Sequence, residues 1–149
     1  MVRHADAGHR GGHHEPDEQR TLSERGRRQA DGLGEQLADT GITRLVASPS
    51  VRCQQTLEPL ATRLELKVEV DDRLGEGQGA EGALALAAEL RHTNAAVCSH
   101  GDVIPDLLDT LLSQGAKLKG DLRWQKASTW ALTWDGTRLV KGKYLSPPG

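Results

Sequence analysis

Phenylalanine is absent from the 149 residues, tyrosine occurs once, and aromatic residues make up only 3% of the chain. A core must therefore be assembled from Leu, Val and Ala, with Trp124, Trp130 and Trp134 supplying nearly all of its large rings. Cysteine is confined to Cys53 and Cys98, whose spacing matches no metal-ligand pair; they read as small buried residues rather than a bridge. No run approaches the roughly 18 apolar residues that a membrane span needs, and the N-terminal stretch lacks the apolar core of a signal peptide. A soluble cytoplasmic protein without membrane association is the expectation. An excess of one charge is missing as well: 19 Lys and Arg stand against 21 Asp and Glu, a net charge of −2. No overall field draws such a chain to nucleic acid, so nucleic acid is excluded as a partner and any anion must be held by a local cluster. The length suits one domain with one core, spanning 1–149.

What the chain does contain is a set of phosphate-gripping groups at regular places. Arg3-His4 stand near the first residue, Arg52 follows Ser48-Pro49-Ser50-Val51, and His100 sits in Ser99-His100-Gly101 after a short apolar run. Around them, periodicity divides the chain. Residues 5–20 are polar and glycine-rich and read as a loop. Ser23 looks like an N-cap, and Ala30, Leu33 and Leu37 recur at helical spacing until Gly41, giving a helix over about 23–39. A β-prone run at 42–47 is broken by Ser48-Pro49, and 50–64 reads as helix with Pro59 as a kink or a shift in course. Strands are expected at 66–70 and 95–99, a loop at 71–79, and helices at 81–91 and 103–114. In the last of these Ile104, Leu107, Leu108, Leu111 and Leu112 form one apolar stripe. Residues 129–133 and 138–141, joined through Asp135-Gly136, look like a closing hairpin. Lys117, Lys119, Arg123 and Lys126 make a basic stretch that is most simply a solvated face.

Strands alternating with helices predict a three-layer α/β/α sandwich with a mainly parallel sheet. Ligands in such sheets bind beyond the carboxyl ends of the strands, often at helix N-termini. Arg3-His4, Arg52 and Ser99-His100 all fall at that edge. The first strand is short for this role, since only Met1 and Val2 precede Arg3 against a usual length of about five residues. It is either stunted or the start of a shortened form of a longer polypeptide.

These segments resemble the histidine phosphatase superfamily, whose phosphoglycerate mutase-like fold is the sandwich just described. The R-H-G opening appears as Arg3-His4-Ala5, and the T-E-x-G-x-x-Q-A helix start as Ser23-Glu24-Arg25-Gly26 with Gln29-Ala30. The S-P-x-x-R-x-x-Q-T segment appears as Ser48, Pro49, Arg52, Gln55 and Thr56, and S-H-G as Ser99-His100-Gly101. With only 23 residues between Glu76 and His100, no large cap can be inserted, which resembles the SixA-like branch. Thr56-Leu57-Glu58-Pro59-Leu60, Val103-Ile104-Pro105-Asp106-Leu107 and Lys126-Ala127-Ser128-Thr129-Trp130 are similar to the phosphatase domain that follows a Nudix domain in mycobacterial MutT-type proteins. That likeness implies a possible Nudix domain in a longer parent polypeptide.

The resemblance implies a metal-independent phosphatase, without cofactor, acting through a phosphohistidine. Its substrate is a phosphohistidine protein or a phosphorylated small molecule such as a nucleotide-like phosphate. His4 is the expected nucleophile, an imidazole neutral at its attacking nitrogen and held at the other. Arg3 and Arg52 offer planar forks that bind two oxygens at once, and His100 donates to the phosphate. Opposite protonation demands on His4 and His100 then give a pH optimum with two limbs. Glu76, in Leu74-Gly75-Glu76, stands as general acid and then base. Ser48 and Arg10 are the further candidates for substrate contact, with a solvated loop residue as the other reading of Arg10 and of Arg20. His9, His13 and His14 lack the carboxylate or thiolate spacing of a designed zinc site, and no metal site is expected. The alternatives are a phosphoglycerate mutase-like phosphotransferase and a non-catalytic phospho-ligand binding domain.

Overall fold

The computed structural model of the chain describes residues 1–8 and 16–149. Arg10, His9, His13 and His14 lie outside the described residues.

Seven strands form one sheet in the order β3-β2-β4-β1-β6-β7-β5. They are β1 (Val2–Arg3), β2 (Arg44–Ala47), β3 (Val68–Val70), β4 (Ala95–Ser99), β5 (Lys117–Lys119), β6 (Thr129–Asp135) and β7 (Arg138–Leu145). Four helices connect them: α1 (Glu24–Leu37), α2 (Val51–Leu64), α3 (Gly79–Glu89) and α4 (Val103–Ser113). The pairs β1/β4, β2/β4, β2/β3 and β5/β7 are parallel, while β6 runs against both β1 and β7. The sheet is thus mostly parallel, and its helices sit on both faces.

Alternation along the strands produces those faces, because neighbouring side chains point to opposite sides. Leu45 and Ala47 of β2, with Ala96 and Cys98 of β4, join Leu33 and Leu37 of α1 and Leu57 and Leu60 of α2 in one core. Val46 and Val97, between them in sequence, join Leu86 of α3, the Ile104–Leu111 stripe of α4 and Trp130 in the other. The ring shortage is met by this single fully buried tryptophan, whose Nε1 donates to the Arg123 carbonyl at 2.7 Å.

β1 has only two residues, yet it lies between β4 and β6 in the middle of the sheet. The backbone nitrogens of Arg3 and His4 donate to the carbonyls of Ser128 and Ser99 at 3.0 and 3.1 Å. β1, β4 and β2 are neighbours running the same way, so the residues that follow them, His4, His100 and Ser48, emerge side by side at one edge.

Elsewhere the structure departs from expectation in particular places. Short 3-10 turns at Asp17–Gln19 and Asp72–Leu74 lie inside segments read as loop. The closing hairpin extends to Asp135 and Leu145, and α2 continues through Pro59 to Leu64. Lys117–Lys119, read only as part of a solvated stretch, is an edge strand. Among the described residues no helix is long and apolar enough to cross a membrane.

The start of α1 is locked to the chain just after β1. Ser23 Oγ accepts from Gly26 N at 3.0 Å as an N-cap and donates to Asp6 Oδ2 at 2.6 Å. A Cβ on Gly26 would lie 1.9 Å from the Asp6 carbonyl oxygen. Gly26→Ala is therefore expected to lower stability in urea denaturation by about 1–3 kcal/mol, the range for forcing atoms into a filled site. An unchanged midpoint would show that helix and loop can separate freely.

Candidate active site

His4 follows β1 and is 6% exposed, with its Nδ1 2.8 Å from the carbonyl oxygen of Ala5. A carbonyl can only accept, so Nδ1 carries the hydrogen and Nε2 keeps a bare lone pair. Burial holds the pKa of the ring down to about 3; the Ala5 carbonyl pulls upward, and the charges of Arg52, His100 and Arg3 push down again. The outcome is an uncharged imidazole at neutral pH, with the nitrogen that could attack left unprotonated.

The segment that positions this carbonyl is gripped by the remaining residues of the four sequence segments. Ala5 N donates to Thr56 Oγ1 at 2.9 Å, and Thr56 Oγ1 donates to the Arg52 carbonyl at 2.7 Å. Asp6 N donates to Gln29 Oε1 at 2.9 Å, and Leu22 N to Gln55 Oε1 at 2.8 Å. Arg20 is 5% exposed and donates from Nη1 to the Ala7 carbonyl at 2.9 Å. Neither rim contact nor solvated residue describes it: it is a buried brace for the chain after His4.

His100 lies beside His4, ring centroids 5.5 Å apart and planes at 65°. Its Nδ1 is 3.3 Å from Arg52 Nη2 and its Nε2 is 2.8 Å from Ser48 Oγ. A guanidinium only donates, so Nδ1 accepts and Nε2 carries the hydrogen toward Ser48. Ser48 is fully buried, and its oxygen also accepts from Ser50 N at 3.3 Å. Its hydroxyl is thus placed on His100, on the ring nitrogen opposite the one that meets Arg52.

Arg52 opens α2 and is 1% exposed. Its Nη1 donates to the Asp17 carbonyl at 2.9 Å; its Nη2 meets Asp17 Oδ2 at 3.2 Å and Glu76 Oε2 at 3.0 Å. Glu76 is accordingly at the site, on a loop pinned by the Ser99 hydroxyl, which donates to the Leu74 carbonyl at 2.7 Å. Arg3 donates from Nη1 to the Trp124 carbonyl at 2.8 Å, and burial lowers its pKa. A Cβ on Gly101 would lie 2.7–3.0 Å from the Arg3 guanidinium, so the glycine of Ser-His-Gly is a requirement of packing. Both Arg3 Nε and Arg52 Nε are buried and have no hydrogen-bond acceptor among the described residues. Buried donors of this kind are costly unless something completes them.

Five expected residues, Arg3, His4, Arg52, Glu76 and His100, are therefore gathered at one edge of the sheet, with Ser48 placed against His100. A cavity of about 380 Å³ opens beside Glu76 and Ser48, lined also by Asp17, Ser50, Gly75 and Gln78 among others. Asp17 went unnoticed in sequence, as an ordinary acid in a polar loop. Its only signal is Arg20 three residues on, whose Nε reaches Asp17 Oδ1 at 3.2 Å.

The chain is similar to known proteins in both sequence and fold. The histidine phosphatase superfamily (branch 1) profile matches residues 1–82. A protein of Mycolicibacterium smegmatis (strain ATCC 700084 / mc(2)155) described as 8-oxo-(d)GTP phosphatase is 38% identical over 154 residues, covering 99% of this chain. The chain spans about half of that relative, 48% of its length. Among solved structures, the protein histidine phosphatase SixA complexed with tungstate superposes with a TM-score of 0.77 at 22% identity, over 99% of this chain and 94% of that one. A mycobacterial glucosyl-3-phosphoglycerate phosphatase with VO3 superposes with a TM-score of 0.70 at 23% identity, over 93% and 94%.

The state of His4 is open to direct measurement. Its ring nitrogens, followed by nitrogen-15 NMR, are expected to keep the Nδ1–H form from pH 8 to pH 4. Because the unfolded ring titrates near 6.5 and the folded one near 3, the unfolded state binds more protons between these values. The contribution of His4 to stability is thus complete above pH 6.5 and is lost as pH falls toward 3. Titration of His4 near 6.5 in the folded protein would contradict the burial argument.

Proposed function

The chain belongs to the histidine phosphatase superfamily, and on that footing we propose that it is a phosphatase working through a phosphohistidine on His4. One observation carries the reading: two buried guanidinium Nε–H groups lack acceptors beside an imidazole whose Nε2 is bare. A phosphoryl group seated there supplies the missing acceptors and offers phosphorus to the lone pair.

In the first step His4 Nε2 forms a bond to phosphorus. The bond from phosphorus to the leaving group breaks, its electron pair departs with the leaving atom, and Glu76 as the acid protonates that atom. In the second step Glu76 as carboxylate takes a proton from water, oxygen bonds to phosphorus, and the N–P pair returns to His4 Nε2. Arg3 and Arg52 hold the equatorial oxygens, where charge is spread, and His100, carrying a proton on Nδ1 in the bound state, donates to one of them. Ser48 acts as a positioning residue through His100. Arg10 is assigned to the substrate rim from its sequence position. The sequence of steps calls on no metal ion.

The substrate class we assign is a nucleotide-like phosphate, supported by the relative that shares 38% identity along almost the whole chain. A protein phosphohistidine is the second reading, supported by the open mouth: Glu76 and Asp17 side chains are 35% and 34% exposed there. Between Glu76 and His100 the chain is taken up by α3 and β4. A mutase must shelter its phosphoenzyme from water, and that connection supplies no cover for one. The free thiols of Cys53 and Cys98 suit a cytoplasmic setting.

With p-nitrophenyl phosphate, turnover is expected to resist EDTA, to be inhibited by vanadate, and to fall at least about 10³-fold in His4→Ala. Activity unaffected by His4→Ala refutes the phosphohistidine and favours a binding module. Glu76→Gln should cost on the order of 10² in kcat with an alkyl phosphate and much less with p-nitrophenyl phosphate, whose leaving group needs no proton. Equal losses on both would remove Glu76 from proton transfer. A panel of 8-oxo-dGTP, dGTP, phosphohistidine peptide and sugar phosphate, read as kcat/KM, chooses between the two substrate readings.

A further inference from the structure

The parallel pairing of β5 with β7 sets Lys117 opposite Lys141 and Lys119 opposite Lys143. All four are exposed, and the residues between them, Leu118 and Gly142, turn the other way. A Cβ on Gly142 would lie 3.0 Å from Leu118 and 2.9 Å from Leu132, which pack on the α3/α4 side. The lysines therefore share the opposite face of the sheet. Their Cα atoms form a rectangle roughly 5 Å by 7 Å, from the strand spacing and the two-residue rise. β6 continues this face with Thr133 opposite Lys141 and Ala131 opposite Lys143, both exposed and uncharged. None of the four lysines enters an ion pair with a described residue.

Like charges directly opposite one another across a ladder are destabilising. Lysines on an edge strand guard it against pairing with another chain, which accounts for Lys117 and Lys119 on β5. It does not account for Lys141 and Lys143, since β7 is paired on both sides. In a chain of net charge −2, four uncompensated ammonium groups on one flat face are a local exception.

We propose that the Lys117–Lys119–Lys141–Lys143 face is a docking surface for a short acidic segment of a partner protein. Extended polypeptide repeats its same-side side chains about every 7 Å, the interval between Lys117 and Lys119 and between Lys141 and Lys143. No aromatic ring lies on this part of the face to stack a base, which a single-stranded nucleic acid would use. The apolar side chains on this face are the small Ala131 and the half-buried Leu145 beyond Lys143, too little to enter a lipid layer. The overall negative charge repels a long polyanion beyond the patch but leaves a short one unaffected.

Strand direction also fixes how the patch lies relative to the His4 edge of the sheet. β6 runs against β1 and β7 against β6, so β7 and its parallel neighbour β5 run with β1. Lys119 and Lys143 thus lie toward the sheet edge that bears His4, and Lys117 and Lys141 away from it. This surface is separate from the chemistry assigned to His4 and stands whether or not that assignment does.

Fluorescein-labelled octaglutamate, titrated with the full chain and read by anisotropy, tests it. Binding at 50 mM NaCl that weakens steeply by 300 mM is expected. Lys141→Gln/Lys143→Gln and Lys117→Gln/Lys119→Gln should each weaken it at least about fivefold, while Arg91→Gln in the turn after α3 leaves it unchanged. Turnover of p-nitrophenyl phosphate should stay at the wild-type level in the lysine variants, and their urea midpoints should equal or exceed wild type, because like-charge pairs are removed. Absent or salt-insensitive peptide binding overturns the proposal, as does equal affinity in the lysine variants. So does tighter binding of a labelled oligothymidylate or of phosphatidylserine vesicles, or a lowered urea midpoint.

Discussion

The hydrogen bond from His4 Nδ1 to the Ala5 carbonyl is the constraint on which the site depends. It joins adjacent residues, so the backbone alone decides which ring nitrogen is left bare, and any drift of the Ala5 peptide would unsettle the tautomer. The fold spends several buried hydrogen bonds to stop that drift, from Thr56, Gln29 and Arg20 to the 5–8 segment. They come from both helices on that face of the sheet and from the chain before α1. Burial and the neighbouring cations together keep the ring uncharged, against the upward pull of the Ala5 carbonyl.

Arg52 poses the opposite difficulty, since a guanidinium at 1% exposure must be compensated. Asp17 and Glu76 provide two carboxylates at the mouth, each about a third exposed. Both therefore remain within reach of water, whereas the Nε–H of the same guanidinium is buried and has no acceptor among the described residues. On the proposed reading, a dianion approaching from the mouth would meet a fork already turned toward acceptors and exchange one set of oxygens for another. Arg20 extends the link, because the Asp17 that holds Arg52 also holds the residue bracing Ala7.

Much of this was legible in the sequence, for a physical reason. Residues immediately after parallel strands must emerge at one edge, so locating β4 from its apolar run and β2 from the Ser48-Pro49 break was enough to bring His100 and Arg52 toward His4. The motif spacing also carried Gln29, Gln55 and Thr56, although sequence did not say that they hold backbone rather than substrate. Asp17 and Arg20 stayed hidden because their partners are carbonyls and a side chain 35 residues away, a relation that leaves no periodicity. β5 was obscured by its own composition: alternating lysines with one leucine give a three-residue strand no more apolar signal than a charged loop. Ser48 was read as a substrate contact; a serine beside a phosphate site has two uses, and the structure adds the second, a hydroxyl placed on His100.

β1 has no partner nearby in sequence: Val2 pairs with Cys98 on one side and with Thr129 on the other. During synthesis on the ribosome, the residue assigned here to attack phosphorus has nothing to dock against until the residues as far as Thr129 have followed. Long-range pairing of this kind is slow, because loop closure is paid for before contacts return anything. The nascent or partly folded chain accordingly holds no half-built pocket, and reactivity arrives together with the finished tertiary structure.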